Sequence, residues 1–184
     1  MHVALFGGSF NPPHVGHQLA ALYVLETAPV DGLWLVPCFQ HAFDKALERF
    51  EYRVKMCERM AAALGPRVRV ETIEGQRGGV SRTLDTVKAL RVAYPGVRFS
   101  LMIGADLRHE RSTWYGADEL ATLVNFIVVG RAGADPDAAV QMPAVSSTEV
   151  RERLAQGKPV DAQVPRAVLD VIRAHTLYGF REAR

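Results

Sequence analysis

Short apolar runs alternate along this chain with stretches whose apolar residues recur every three or four positions. The runs His2–Phe6, Leu33–Val36, Val68–Ile73, Val97–Ile103 and Val124–Val129 read as strands. Val15–Thr27, Phe50–Leu64, Thr83–Ala93, Ala117–Leu123, Ser147–Gln156 and Pro165–His175 read as helices. Strands that alternate with helices predict an α/β domain, a doubly wound parallel sheet covered on both faces. Such sheets bind ligands beyond the carboxyl ends of the strands, where strand order reverses. The predicted loops at that edge carry Gly7 to His17, Gly104-Ala105-Asp106 and Arg131. Pro37–Glu48 and Ala132–Ala144 read as irregular connections, and nothing resembles a repeat or a linker. Residues 1–184 are therefore expected to form one domain.

The first loop, Gly7-Gly8-Ser9-Phe10-Asn11-Pro12-Pro13-His14-Val15-Gly16-His17, joins the first strand to the first helix. It lacks the Gly-x-Gly-x-x-Gly dinucleotide fingerprint. Its glycines allow close approach of backbone to a ligand, and a helix start offers N–H groups and partial positive charge to an anion. His14 and His17, three apart, project from one face of the first helical turn. That arrangement suits a phosphate chain that is reacting, not merely held. Two solvent-exposed histidines at a helix start are the plainer alternative. Zinc would need a nearby Cys, Asp or Glu that this stretch lacks.

Composition narrows the partners. The formal charge of +2 gives no case for nucleic-acid binding. The chain has 18 arginines to 4 lysines, and a guanidinium grips phosphate bidentately. Cys38 and Cys57 make no metal or redox spacing and are expected to be reduced thiols. With no apolar run long enough to span a bilayer and no leader-like start, the expected compartment is the cytoplasm, without membrane contact.

A second anion site is suggested by Val145-Ser146-Ser147-Thr148-Glu149-Val150-Arg151. Ser and Thr before a periodic helix are ordinary N-caps, and Glu149 or Glu152 could complete one. Arg151, one turn in, adds a guanidinium beside the hydroxyls and the helix N–H groups.

Gly7-Gly8-Ser9-Phe10, His14-x-Gly16-His17 and Ser146-Ser147-Thr148-x-x-Arg151 resemble the signatures of the nucleotidylyltransferase superfamily. Within it, nearly the whole chain is similar to the bacterial nicotinate-nucleotide adenylyltransferases. Thr83-Leu84-Asp85-Thr86, Gly104-Ala105-Asp106, Trp114 eight residues after Asp106, Arg131-Ala132-Gly133 and the stretch from Val164-Pro165 to Leu177-Tyr178 add to the likeness. The resemblance implies a Rossmann-like nucleotidylyltransferase fold whose C-terminal helices, about 147–180, complete the ATP site. It implies attack by a mononucleotide 5′-phosphate on the α-phosphorus of ATP, with pyrophosphate leaving. The substrates would be ATP and nicotinate mononucleotide, with Mg²⁺ carried by the phosphates and no dedicated protein metal site.

In that reading His14, His17 and Arg151 are catalytic. Both imidazoles donate to phosphate oxygens, and neither acts as a base because the attacking phosphate is already ionised. Gly8, Ser9, Phe10, Gly104, Asp106, Ser147 and Thr148 join them around ATP. His41, Lys45, Asp85, Thr86, Trp114 and Arg131 are expected at the mononucleotide, with Trp114 stacking on the pyridine. The first-turn N–H groups near Asp85 and Thr86 would read the nicotinate carboxylate.

Three departures stand out. Pro37-Cys38-Phe39-Gln40-His41-Ala42-Phe43-Asp44-Lys45 replaces a compact Pro-Pro-His-Lys, Arg82 stands where an aromatic residue is common, and Asn11 replaces a frequent Asp. The alternatives are another acceptor (nicotinamide mononucleotide or a non-pyridine phosphate), a non-catalytic nucleotide-binding regulator, or an adenylate-forming ligase, for which 184 residues leave no acceptor domain. A homo-oligomer is compatible with these residues.

Overall fold

A computed structural model of the protein describes residues 1–41, 46–130 and 140–181. Its strands are β1 (His2–Gly8), β2 (Gly32–Pro37), β3 (Val68–Val70), β4 (Arg98–Gly104) and β5 (Asn125–Val129). Its helices are α1 (Val15–Thr27), α2 (Phe50–Leu64), α3 (Ile73–Arg77), α4 (Thr83–Ala93), α5 (Ala117–Leu123), α6 (Ser147–Ala155) and α7 (Arg166–Ala174). Single 3₁₀ turns occupy Ala105–Leu107, Arg111–Thr113 and Leu177–Gly179.

The sheet runs β3-β2-β1-β4-β5 with every neighbour parallel, as the strand–helix alternation predicts. From the central β1 the chain builds outward to β3, then crosses back to β4 and β5. The reversal therefore lies between β1 and β4. Strand side chains point alternately to the two faces, so each strand supplies both layers of core. Val3, Leu5, Trp34, Leu101 and Ile103 pack with Leu84, Val87 and Leu90 of α4 and Leu120 of α5. Ala4, Leu33, Leu35 and Met102 pack on the other face with apolar residues of α1, α2, α6 and α7.

Among the described residues, the expected strands and helices form at every place but one, and parts of the connections Pro37–Glu48 and Ala132–Ala144 lie outside the described residues. The run Val68–Ile73 is strand only through Val70, because this edge strand pairs solely with Leu33–Leu35 of β2. Beyond it, a carboxylate oxygen of Glu71 accepts the Ile73 N–H at 3.1 Å, and the chain turns into the short helix α3. Ile73 is apolar in either conformation, so periodicity could not separate them. It is buried in the layer shared with Trp34 and Leu84.

Cys57 on α2 is wholly buried, and burial pushes its thiol well above the ordinary value of 9.0. The unfolded chain releases that proton near 9.0 whereas the folded chain holds it. Its contribution to stability is therefore complete below 9.0 and is lost as the pH rises further. The melting temperature is expected to fall above that pH. Cys57→Ala should start lower, through the cavity it leaves, but show a shallower alkaline decline. Parallel declines in the two proteins would remove Cys57 as a cause.

Candidate active site

A cleft of about 930 Å³ opens at the carboxyl ends of β1 and β4, on the predicted edge of the sheet. Gly8, Ser9, His14 and His17 line it after β1, and Gly104 and Asp106 line it after β4. The Asn11–Pro12 peptide is cis, and His14 then sits in extended backbone as the N-cap of α1. The His14 N–H donates to Nδ1 of His17 at 3.1 Å. An accepting Nδ1 leaves the proton of the neutral His17 ring on Nε2. The two imidazoles lie face to face, with centroids 3.7 Å apart and planes 33° apart. A Cβ on Gly16 would stand 3.1 Å from the His14 ring, so a side chain there would displace it.

Phe10 does not face the cleft. It is 1% exposed, and its ring packs 5.1 Å from that of His17. Its side chain sits behind the histidine, which leaves its backbone for the role expected of it along the nucleotide. A correction concerns the start of α1, whose first amide, on Val15, already donates to the Gln163 carbonyl at 2.8 Å. That bond ties the segment between α6 and α7 to the root of the histidine pair.

Three anchors hold the loop that carries these groups. Arg53 of α2 is 1% exposed and donates to the carbonyls of Glu48 (2.8 Å), Ser9 (2.9 Å) and Phe39 (3.2 Å). Asn11 donates to the Ala46 carbonyl and accepts the Glu48 N–H. An Asp could not make the first of those bonds, which accounts for Asn at this position. Finally, α6 reaches across from the far end of the chain. Ser147 donates to the Pro12 carbonyl at 2.9 Å, and Arg151 donates to the Asn11 carbonyl at 2.8 Å and to Thr148 Oγ1 at 3.3 Å. Ser146 is the plain N-cap, accepting the Glu149 N–H at 3.1 Å. Ser147, Thr148 and Arg151 thus stand behind the loop and do not line the cleft itself, although two of the sequence motifs do meet.

The other half of the cleft is built on the opposite face of the sheet. His41, Thr86 and Trp114 line it, as expected. Gln40 bridges Val80 in parallel, which places His41 next to Ser81 and Arg82. The Thr86 N–H donates to the Arg82 carbonyl, and its hydroxyl donates to Glu74 at 2.6 Å. The first-turn amides without an intrahelical partner therefore belong to Thr83, Leu84 and Asp85, while the amide and hydroxyl of Thr86 both have partners within the protein. Asp85 is outside the cleft lining and lies 3.8 Å from Arg77. Lys45 and Arg131 lie outside the described residues.

Arg53 and Glu74 were missed by sequence reasoning. Glu74 is buried and accepts from both Thr86 and the Phe39 N–H. Arg53 had a visible signal, since it falls in helical register with Met56, Cys57 and Met60 on an otherwise apolar face. Cys38 also lines the cleft, and burial raises its thiol, partly offset by the Arg53 charge. Among the described residues no three His, Cys, Asp or Glu side chains gather as a metal cluster.

The cytidylyltransferase-like family model matches residues 5–153. Relatives described as "Probable nicotinate-nucleotide adenylyltransferase" include one from Anaeromyxobacter dehalogenans, 44% identical over 96% of both chains. Another, from Myxococcus xanthus, is 39% identical over 98% of this chain and 96% of its own. The fold is shared with the Plasmodium falciparum nicotinic acid mononucleotide adenylyltransferase solved with APC (TM-score 0.80, 19% identical, 98% of each chain) and with NaAD (TM-score 0.79, 20% identical). With a family model spanning most of the chain and full-length relatives at this identity, the chain belongs to the cytidylyltransferase-like family, among the nicotinate-nucleotide adenylyltransferases.

Proposed function

We infer that the protein transfers the adenylyl group of ATP to nicotinate mononucleotide, forming nicotinate adenine dinucleotide and pyrophosphate in NAD biosynthesis. The observation that carries this reading is the stacked His14–His17 pair at the carboxyl end of β1, with the Nε2 hydrogen of His17 fixed by the bond its Nδ1 accepts. A phosphate oxygen of the mononucleotide attacks the α-phosphorus of ATP. A new P–O bond forms as the bond to the β-phosphate oxygen breaks, and the electron pair leaves with pyrophosphate. His17 Nε2–H donates to oxygens that gain charge in that step. With Nδ1 already accepting, the ring is set as a donor and not as a base.

The α-phosphate lies against His14, His17 and the backbone of Gly8 and Ser9. The β- and γ-phosphates extend toward α6, where Arg151 keeps N–H groups beyond those on Asn11 and Thr148. Ser147 and Thr148 act there through the placement of α6, and Gly104 and Asp106 flank the nucleoside. The C-terminal helices close this end of the site. Trp114 offers its face to the pyridine, and the amides at the start of α4 lie at its rim. Rate comes from alignment and from donors already in place, as expected where a phosphoryl centre does its own bond exchange. Mg²⁺ enters with ATP as part of the substrate, neutralising phosphate charge. The setting is the cytoplasm, and no helix among the described residues is long and apolar enough to cross a membrane.

Pyrophosphate release should be fastest with nicotinate mononucleotide in a panel with nicotinamide mononucleotide, phosphopantetheine and phosphocholine. Release with a non-pyridine acceptor alone would replace the substrate assignment. His17→Ala should lower kcat roughly 100-fold or more, with the KM for ATP within a few-fold. Near-normal turnover in that variant would end the donor role. EDTA should abolish release and added Mg²⁺ restore it. Full activity in EDTA would remove the metal from the substrate.

A further inference from the structure

Among the described residues, Arg82 is the one arginine or lysine that lines the cleft. It precedes α4 as its N-cap residue, yet its side chain caps nothing. Its guanidinium instead lies over the ring of Tyr115, 4.3 Å from the centroid. Tyr115 is 58% exposed and also lines the cleft, directly after Trp114. The pair is held in register by Gly116, which takes the left-handed region at φ 64° and packs so tightly on Leu84 that any Cβ would collide with it. The loop bearing Trp114 and Tyr115 is thereby docked on the first turn of α4, beside Arg82.

The neighbouring charges leave the guanidinium available. Glu74 accepts from Thr86 and the Phe39 N–H, and Asp85 faces Arg77. Asp106 stands across the cleft at the end of β4, Glu110 is exposed, and His41 lies on the strand segment bridged to Val80. Among the described residues no carboxylate makes an ion pair with Arg82. A planar cation stacked on an aromatic ring keeps its N–H edge turned outward, the geometry that meets a planar carboxylate side-on. The triphosphate donors belong to α1 and α6 on the opposite face of the sheet. Trp114, assigned above to the pyridine, directly precedes Tyr115, so the ring carboxylate is the anion that this reading brings beside Arg82.

We propose that Arg82, braced on Tyr115, binds the ring carboxylate of nicotinate mononucleotide and makes the enzyme select the acid over the amide. This assignment rests on the pyridine-nucleotide reading above. A carboxamide in the same place presents an uncharged oxygen and an NH₂ group whose donors face the guanidinium, so it gains less and loses solvation.

The test compares kcat/KM for nicotinate mononucleotide and nicotinamide mononucleotide in the full-length protein and three variants. Arg82→Gln should lower the value for the acid by roughly 10-fold or more, mainly through KM, and leave the amide within about threefold. Arg82→Lys should keep part of the preference, and Tyr115→Leu should fall between the wild type and Arg82→Gln. The KM for ATP should stay constant throughout. Equal losses on both substrates, or an unchanged ratio in Arg82→Gln beside an active wild type, would overturn the role of Arg82 alone. A wild type that releases pyrophosphate with neither pyridine nucleotide would overturn the reaction assigned above, and the selective role with it.

Discussion

A buried guanidinium holds the reacting end of this molecule together. Arg53 lies within the layer of α2, among Met56, Cys57 and Met60, and bonds three carbonyls from two connections. Ser9 belongs to the loop after β1, Phe39 to the segment after β2, and Glu48 to the approach to α2. Carbonyl oxygens at a sheet edge would otherwise need water, and a charged group taken out of solvent needs every donor engaged. One side chain answers both needs. Loss of the guanidinium would leave three acceptors unmatched, a larger disturbance than the loss of one apolar contact.

The loop so fixed is then clasped from the other end of the chain. Asn11 and Pro12 present carbonyls to Arg151 and Ser147, and the Val15 amide meets the Gln163 carbonyl. The groups of α1 and α6 proposed to meet phosphate are therefore tied to the same short loop. The histidine pair inherits its orientation from it: His17 lies between its bond to the His14 amide and the edge of Phe10. Preorganised donors of this kind need no rearrangement as charge develops, which is how a protein with little covalent chemistry to perform accelerates a phosphoryl exchange.

The fold was legible because parallel strands buried on both faces leave continuous apolar runs, while the intervening helices keep a different period. Only Glu71–Arg77 misled, where a side-chain carboxylate turned an apolar run into a helix. The site was legible where chemistry is local in sequence: the His14–His17 pair, Asp106 and Trp114 all line the cleft. It was less so where a residue looks outward in sequence and inward in space. Phe10 reads as part of a glycine turn but supports a ring, and Thr86 reads as a helix-start donor but is engaged by Glu74. The Glu74–Thr86 bond joins positions 12 residues apart and the Arg151–Asn11 bond positions 140 apart, and periodicity carries no information about either. Arg82 stood out only as a departure, and its partner Tyr115 became visible once Gly116 was seen against Leu84.

The central position of β1 has a consequence for synthesis on the ribosome. The first strand to emerge is the middle of the finished sheet, and one of its two neighbours, β4, begins only at Arg98. Until then a nascent chain can assemble β1, β2 and β3 with α1 and α2 on one face, leaving Val3, Leu5 and Trp34 uncovered on the other. The exposed side of that intermediate is the side on which α4 and α5 later pack. Nucleotide chemistry waits longer still, for Ser147 and Arg151 to leave the tunnel and reach Pro12 and Asn11. Fragments shorter than this are expected to hold a partial sheet with an uncovered apolar face and no turnover.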